Sequence, residues 1–99
     1  MKLLAIGRPG AGADLREIGA YAEADMRALW GLHTTGTVRE MYTRGRAGAV
    51  LMLEAPSAAD AAAAVNGLPL ATAGLIEFEV IEPHPFAALT MAFAAREGT

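Results

Sequence analysis

Four side chains in this 99-residue chain are the candidates for proton chemistry: Glu23, His33, Arg39 and Tyr42. A carboxylate or an imidazole can take a proton from carbon and return it elsewhere when its pKa lies near ambient pH. Glu23 or His33 is therefore the candidate base. The negative charge that builds on a neighbouring oxygen meanwhile needs a hydrogen-bond donor, and Arg39 or Tyr42 is of that type. Each residue also has a plainer role. Glu23 and Arg27 are four apart, the spacing of an exposed helical ion pair. His33 falls near the expected end of a helix, where its side chain can meet the last carbonyls and favour the dipole. Arg39 and Tyr42 lie on opposite faces of a regular strand, so both reach one pocket only if that strand is bulged. Tyr42 needs a partner for its hydroxyl if it is buried, which leaves pocket lining and structural hydrogen bonding both open.

Composition removes several other chemistries. The chain has no cysteine, which excludes disulfides, thiolate metal sites and a cysteine nucleophile. Ser57 is the sole serine and sits in a capping context, which argues against a serine hydrolase. The segment Gly7-Arg8-Pro9-Gly10-Ala11-Gly12 lacks the Lys-Ser/Thr pair of a nucleotide-binding P-loop and does not match G-x-G-x-x-G. His33 and His84 are far apart with no ligand spacing between them, so no metal site is expected. His84, between Pro83 and Pro85, reads as a surface residue or one at a dimer edge. A net charge of −3 gives no basic footprint for nucleic acid. No apolar run has transmembrane length, and Met1 to Ile6 meets the Gly7–Gly10 loop signal too early for a signal peptide. A soluble, cytoplasmic protein without a membrane partner is the expectation.

The elements that must position these residues follow from pattern. Leu3 to Ile6 is a short apolar run ended by Gly7, a strand, and the Gly- and Pro-rich stretch to Gly12 reads as a loop. From Asp14, a plausible N-cap, to about His33 the spacing is helical, and Gly36 closes the segment. At 100° per residue with Leu15 as zero, Met26 falls at about +20°, Leu29 at about −40° and Trp30 at about +60°. Ile18 belongs to the same stripe, and these five residues are the expected lining of a pocket between helix and sheet. Glu23 near about +80° and Asp25 near about −80° flank the stripe, where either carboxylate could reach the mouth of a cavity. Thr37 to Arg44 and Ala49 to Leu53 read as strands joined by a Gly45–Gly48 hairpin. Ser57 and Asp60 resemble a short capping box for a second helix, which stops at Asn66-Gly67. Leu75 to Ile81 is the last strand, and residues 86–99 form a tail of helical composition.

The order β-α-β-β-α-β predicts an α+β, ferredoxin-like single domain over residues 1–99. A four-stranded antiparallel sheet carries two helices on one face. Val50 to Leu53, and Leu3, Leu4 and Ile6, are apolar without the alternation of a half-solvated sheet. Two helices cover only one face, and a bare second face exceeds the apolar patch that a soluble monomer usually exposes. A homodimer, packed sheet to sheet, is expected. Phe86, Leu89, Met91 and Phe93 in the tail are expected to dock on that partner or to cover the pocket.

Four segments carry a family resemblance: Thr37-Val38-Arg39-Glu40-Met41-Tyr42, Val50 to Ser57, Gly67-Leu68-Pro69-Leu70 and Leu75 to Ile81. Together they resemble the muconolactone delta-isomerase-like group, and the likeness is strongest from Gly36 to Pro85. The resemblance implies a dimeric α/β barrel that assembles from two copies and can assemble further. It also implies a cofactor-independent isomerase that shifts a proton within a cyclic or aromatic-derived, lactone-type ligand, or performs a related cyclisation. Two other functions fit the same architecture: a non-catalytic ligand-binding or assembly protein, and a cofactor-free monooxygenase.

Overall fold

A computed structural model of the chain describes residues 1–97. Its elements are β1 (Lys2–Pro9), α1 (Leu15–Thr34), β2 (Val38–Arg44), β3 (Gly48–Glu54), α2 (Ala58–Asn66), α3 (Pro69–Thr72), β4 (Ile76–Ile81) and α4 (Ala87–Glu97). The four strands form one antiparallel sheet in the order β2-β3-β1-β4, the ferredoxin-like arrangement.

Local chemistry explains where the elements start and stop. The Asp14 carboxylate accepts the Arg16 N–H at 2.9 Å and caps α1, satisfying one of the helix's orphan donors. Ser57 Oγ accepts the Asp60 N–H at 3.1 Å, and its hydroxyl donates to the Asp60 carboxylate, so the expected capping box over α2 is present. Gly36 takes φ +88° between α1 and β2, a conformation that a side chain would strain.

Two segments differ from the sequence reading. β1 does not end at Gly7 but continues to Pro9, because the Phe78 ring lies across Gly7 from the paired strand. A Cβ at Gly7 would meet Phe78 Cε1 at 2.7 Å, so glycine here marks close approach within a strand rather than its end. The stretch after α2 is not plain loop. Pro69 at the first helical position starts the one-turn helix α3, where its missing N–H costs nothing.

One face of the sheet carries the core: Leu3, Ala5, Val38, Leu51 and Leu53 pack under Ala61 and Val65 of α2, with Leu68 closing the end. α1 lies against β2 and α3, and α2 lies against β1 and β4. Leu4, Ile6, Val50, Met52 and Ile81 alternate to the opposite face, where Leu4 pairs with Met52 and Ile81, and Ile6 pairs with Val50. Phe86, Leu89, Met91 and Phe93 are exposed in the single chain. Among the described residues no helix is long and apolar enough to cross a membrane.

Candidate functional site

A cavity of about 370 Å³ opens between α1 and the helix-bearing face of the sheet. Ile18, Ala22, Met26 and Leu29 of α1 form one wall, and Met41, Leu51, Ile76 and Phe78 of the sheet form the other. Leu68 and Leu70, around α3, close one end, and the hairpin residues Arg46, Ala47 and Gly48 border the other. This volume suits one small ring system, and the apolar walls would desolvate it.

The charged residue in the α1 wall is Asp25. Its residue surface is only 7% exposed, the one charged side chain in the buried set. Its Oδ1 accepts the Leu70 N–H at 3.1 Å. That amide is among the orphan donors at the start of α3, whose N-cap, Leu68, has no side chain to satisfy it. Asp25 thus caps a helix 45 residues further along the chain. Oδ2 has no hydrogen-bond partner among the described residues, yet no buried side-chain oxygen is left sealed and unsatisfied. Oδ2 is therefore not sealed from solvent, and Asp25 is among the residues that line the cavity. Burial pushes the Asp25 carboxyl above its ordinary value of 3.8, and the Leu70 N–H opposes part of that rise.

The residues singled out from sequence are spread over several places. Ile18, Met26 and Leu29 line the cavity, whereas Leu15 and Trp30 lie outside its lining and are 51% and 60% exposed. The reason is rotational: the side of α1 that meets the body is centred on Asp25, about 80° from Leu15. Glu23 lies on the outer side of α1, where its carboxylate takes the Arg27 guanidinium at 2.7 Å. His33 is half-buried at the end of α1, with the Trp30 ring centroid 5.2 Å away. Its Nδ1–H donates to the Val38 carbonyl at 2.9 Å, which ties the helix end to β2.

β2 is bulged between Val38 and Glu40, with Arg39 as the extra residue, but the bulge does not turn Arg39 into the cavity. Its guanidinium instead lies over Gly36. Tyr42 is among the residues around the cavity, but its register opposite Val50 sets its side chain on the open sheet face, where its hydroxyl donates to Glu40 Oε1 at 2.6 Å. That bond and the Glu40 charge raise the Tyr42 pKa above 10.0, since both favour the neutral phenol. Sequence reasoning placed Asp25 at the flank of the stripe without selecting it, and Arg46 on the hairpin gave no signal at all. Among the described residues no three His, Asp or Glu side chains gather closely enough to hold a metal ion.

No family model and no curated protein matches the chain. Among solved structures the chain is similar to 5-chloro-2-hydroxyhydroquinone dehydrochlorinase (TftG) from Burkholderia phenoliruptrix AC1100, in complex with 2,5-dihydroxybenzoquinone. The TM-score is 0.64 at 20% identity, over 89% of this chain and 98% of that one. At that identity the likeness is one of fold.

Proposed function

We propose that this protein is a small-molecule enzyme that moves a proton within a cyclic or aromatic-derived ligand, with Asp25 carrying the proton. The observation that supports this reading is a buried carboxyl in the wall of a largely apolar cavity of ring size. A pKa raised by burial makes the carboxylate a stronger base than an exposed one and lets the acid return the proton. In the forward step Oδ2 takes a proton from a carbon next to a carbonyl, and the electron pair moves onto the carbonyl oxygen as an enolate. The same carboxyl then protonates a different carbon of the enolate, which completes an isomerisation without any added reagent. Leu70 N–H holds the carboxyl in place during both transfers. A structural neighbour crystallised with a dihydroxybenzoquinone supports a flat, oxygenated ring as the ligand type.

The working unit in this reading is a homodimer joined through the open sheet face, the arrangement that the muconolactone isomerase-like resemblance implies. Glu23 and His33 hold α1 and its junction, and serve as controls.

The test is turnover of α-angelica lactone, an unsaturated lactone with an acidic C–H, followed in D2O by NMR. Asp25→Asn keeps an oxygen for the Leu70 N–H but removes the base. It should slow isomerisation and deuterium uptake by about 100-fold or more, the usual worth of a general base, while the lactone still binds. Glu23→Gln and His33→Ala should remain active. The competing reading, a non-catalytic binding protein, draws on the capping role of Asp25, which explains a buried carboxyl without chemistry. Binding without exchange of any lactone C–H in the unmodified protein would favour it.

A further inference from the structure

We infer that the ligand is an oxyanion, a carboxylate or an ionised phenol or enol, and that Arg46 at the cavity rim is the residue that selects it. This rests on the reading of the cavity as a ligand site. Two residues around the cavity are charged, Asp25 in the wall and Arg46 at the hairpin border, and they have opposite signs. Arg8 and Arg27 are committed elsewhere, to Glu79 at 3.2 Å and to Glu23 at 2.7 Å. Arg46 has no ion pair and no hydrogen bond among the described residues.

The backbone of the hairpin that presents Arg46 is constrained. Gly45 turns at φ +63°, Arg44 pairs with Gly48, and Gly48 is packed so tightly that a Cβ there would come within 2.9 Å of the Gly7 carbonyl oxygen. Such a turn holds the backbone of Arg46 at the opening and leaves its guanidinium free to close on a ligand. A guanidinium offers paired N–H donors that match two carboxylate oxygens, and the apolar walls strengthen that attraction by excluding water.

The two charges also set the ligand's orientation. An anionic group next to the Asp25 carboxylate is repelled, so the oxyanion belongs at the Arg46 end and the rest of the ring on the side of Asp25. The chain as a whole carries a net charge of −3, so general attraction of anions does not account for such selectivity.

Benzoate, its neutral counterpart benzamide and para-nitrophenolate serve as probes, with binding read by NMR shifts of the cavity methyl groups. The unmodified protein should bind benzoate about tenfold more tightly than benzamide, a difference of about 1.4 kcal/mol. Arg46→Gln should erase that preference, and Arg44→Gln, a charge on the same hairpin outside the cavity lining, should leave it in place. Binding of para-nitrophenolate with the same dependence on Arg46 would extend the selected group from carboxylates to phenolates. Its failure alongside intact benzoate selectivity would restrict the group to carboxylates; either result upholds an oxyanion. Equal binding of benzoate and benzamide, or a preference that survives Arg46→Gln or is lost equally in Arg44→Gln, overturns the role of Arg46 while the ligand cavity stands. If neither ring compound shifts the cavity methyl groups, the cavity reading falls together with it.

Discussion

Asp25 joins two functions that pull its pKa in opposite directions. Desolvation by the cavity walls favours the acid, and the Leu70 N–H favours the carboxylate, with the first the larger. Because the folded-state value lies above the ordinary 3.8, the folded protein binds this proton more tightly than the unfolded chain does. Its stabilising contribution is complete below the unfolded value and is lost as the pH rises through the folded one. Stability measured by urea melts should therefore fall over that acidic interval through this group, and Asp25→Asn should remove that part of the slope. Comparing the two proteins across the interval isolates the effect from the other carboxylates. Asp25→Ala is a different experiment, since it strands the Leu70 N–H without an acceptor. A loss of about 1–3 kcal/mol is expected there, read from the same melts. A far smaller loss would mean that water replaces the carboxylate and that the cap contributes little.

At the scale of elements, the strands and long helices were legible because their signals are local. Asp14 and Ser57 announce the helix starts, and the apolar runs at Leu3–Ile6 and Val50–Leu53 announce the central strands. What was not legible depends on partners distant in sequence. Gly7 looks like a strand terminator until Phe78 is laid across it, and α3 is capped by a carboxylate from α1. The rotation of α1 is an intermediate case. Measured from Leu15, the residues Ile18, Ala28, Leu29 and Leu32 have a mean direction of about −85°, close to Asp25. Choosing Leu15 as the centre gave weight to an apolar residue that is 51% exposed. Those four are the apolar positions of α1 that the fold partly buries, and the exposed Met26 and Trp30 pull the sequence pattern away from them, so Asp25 stayed at the flank. Arg46 had no such signal, because only the folded hairpin brings residues 46–48 to α1's cavity. That hairpin yields a prediction of its own. Gly48→Ala forces a methyl group against the backbone carbonyl of Gly7, which cannot swing away as a side chain could. A cost of about 1–3 kcal/mol in urea melts is expected, as for other overpacked sites. Ala47→Gly, one residue earlier, adds no such contact and should cost far less.

At the scale of the whole molecule the single chain is elongated, 61 × 30 × 20 Å, with a radius of gyration of 16.8 Å. A compact domain of this length has about 13 Å. The difference matches a C-terminal segment whose Phe86, Leu89, Met91 and Phe93 remain exposed. The open sheet face presents a second unmet demand. Its centre is apolar, with Leu4, Ile6, Val50, Met52 and Ile81 brought together by strand register. Charged and polar groups stand around it, including the Arg8–Glu79 pair and the Glu40–Tyr42 hydrogen bond. An apolar centre inside a polar rim is the anatomy of a protein interface, and sheet-to-sheet contact with a second copy satisfies it symmetrically. Leu4→Lys places a charge in that centre, between Met52 and Ile81 on the two flanking strands. In one chain the long side chain can reach water at the rim, so folding should be little affected. Between two copies it is trapped among apolar side chains, and leaving a charge buried without a partner costs several kcal/mol. Sedimentation velocity at micromolar concentration should therefore show a dimer for the unmodified protein and a monomer for Leu4→Lys, with unchanged far-UV circular dichroism. Removing residues 86–99 separates the two apolar surfaces. If the tail docks on the partner, that truncation should weaken the dimer as well, and if the sheet face acts alone the dimer should persist. A monomeric unmodified protein would leave the open face, and the homodimer built on it, without support.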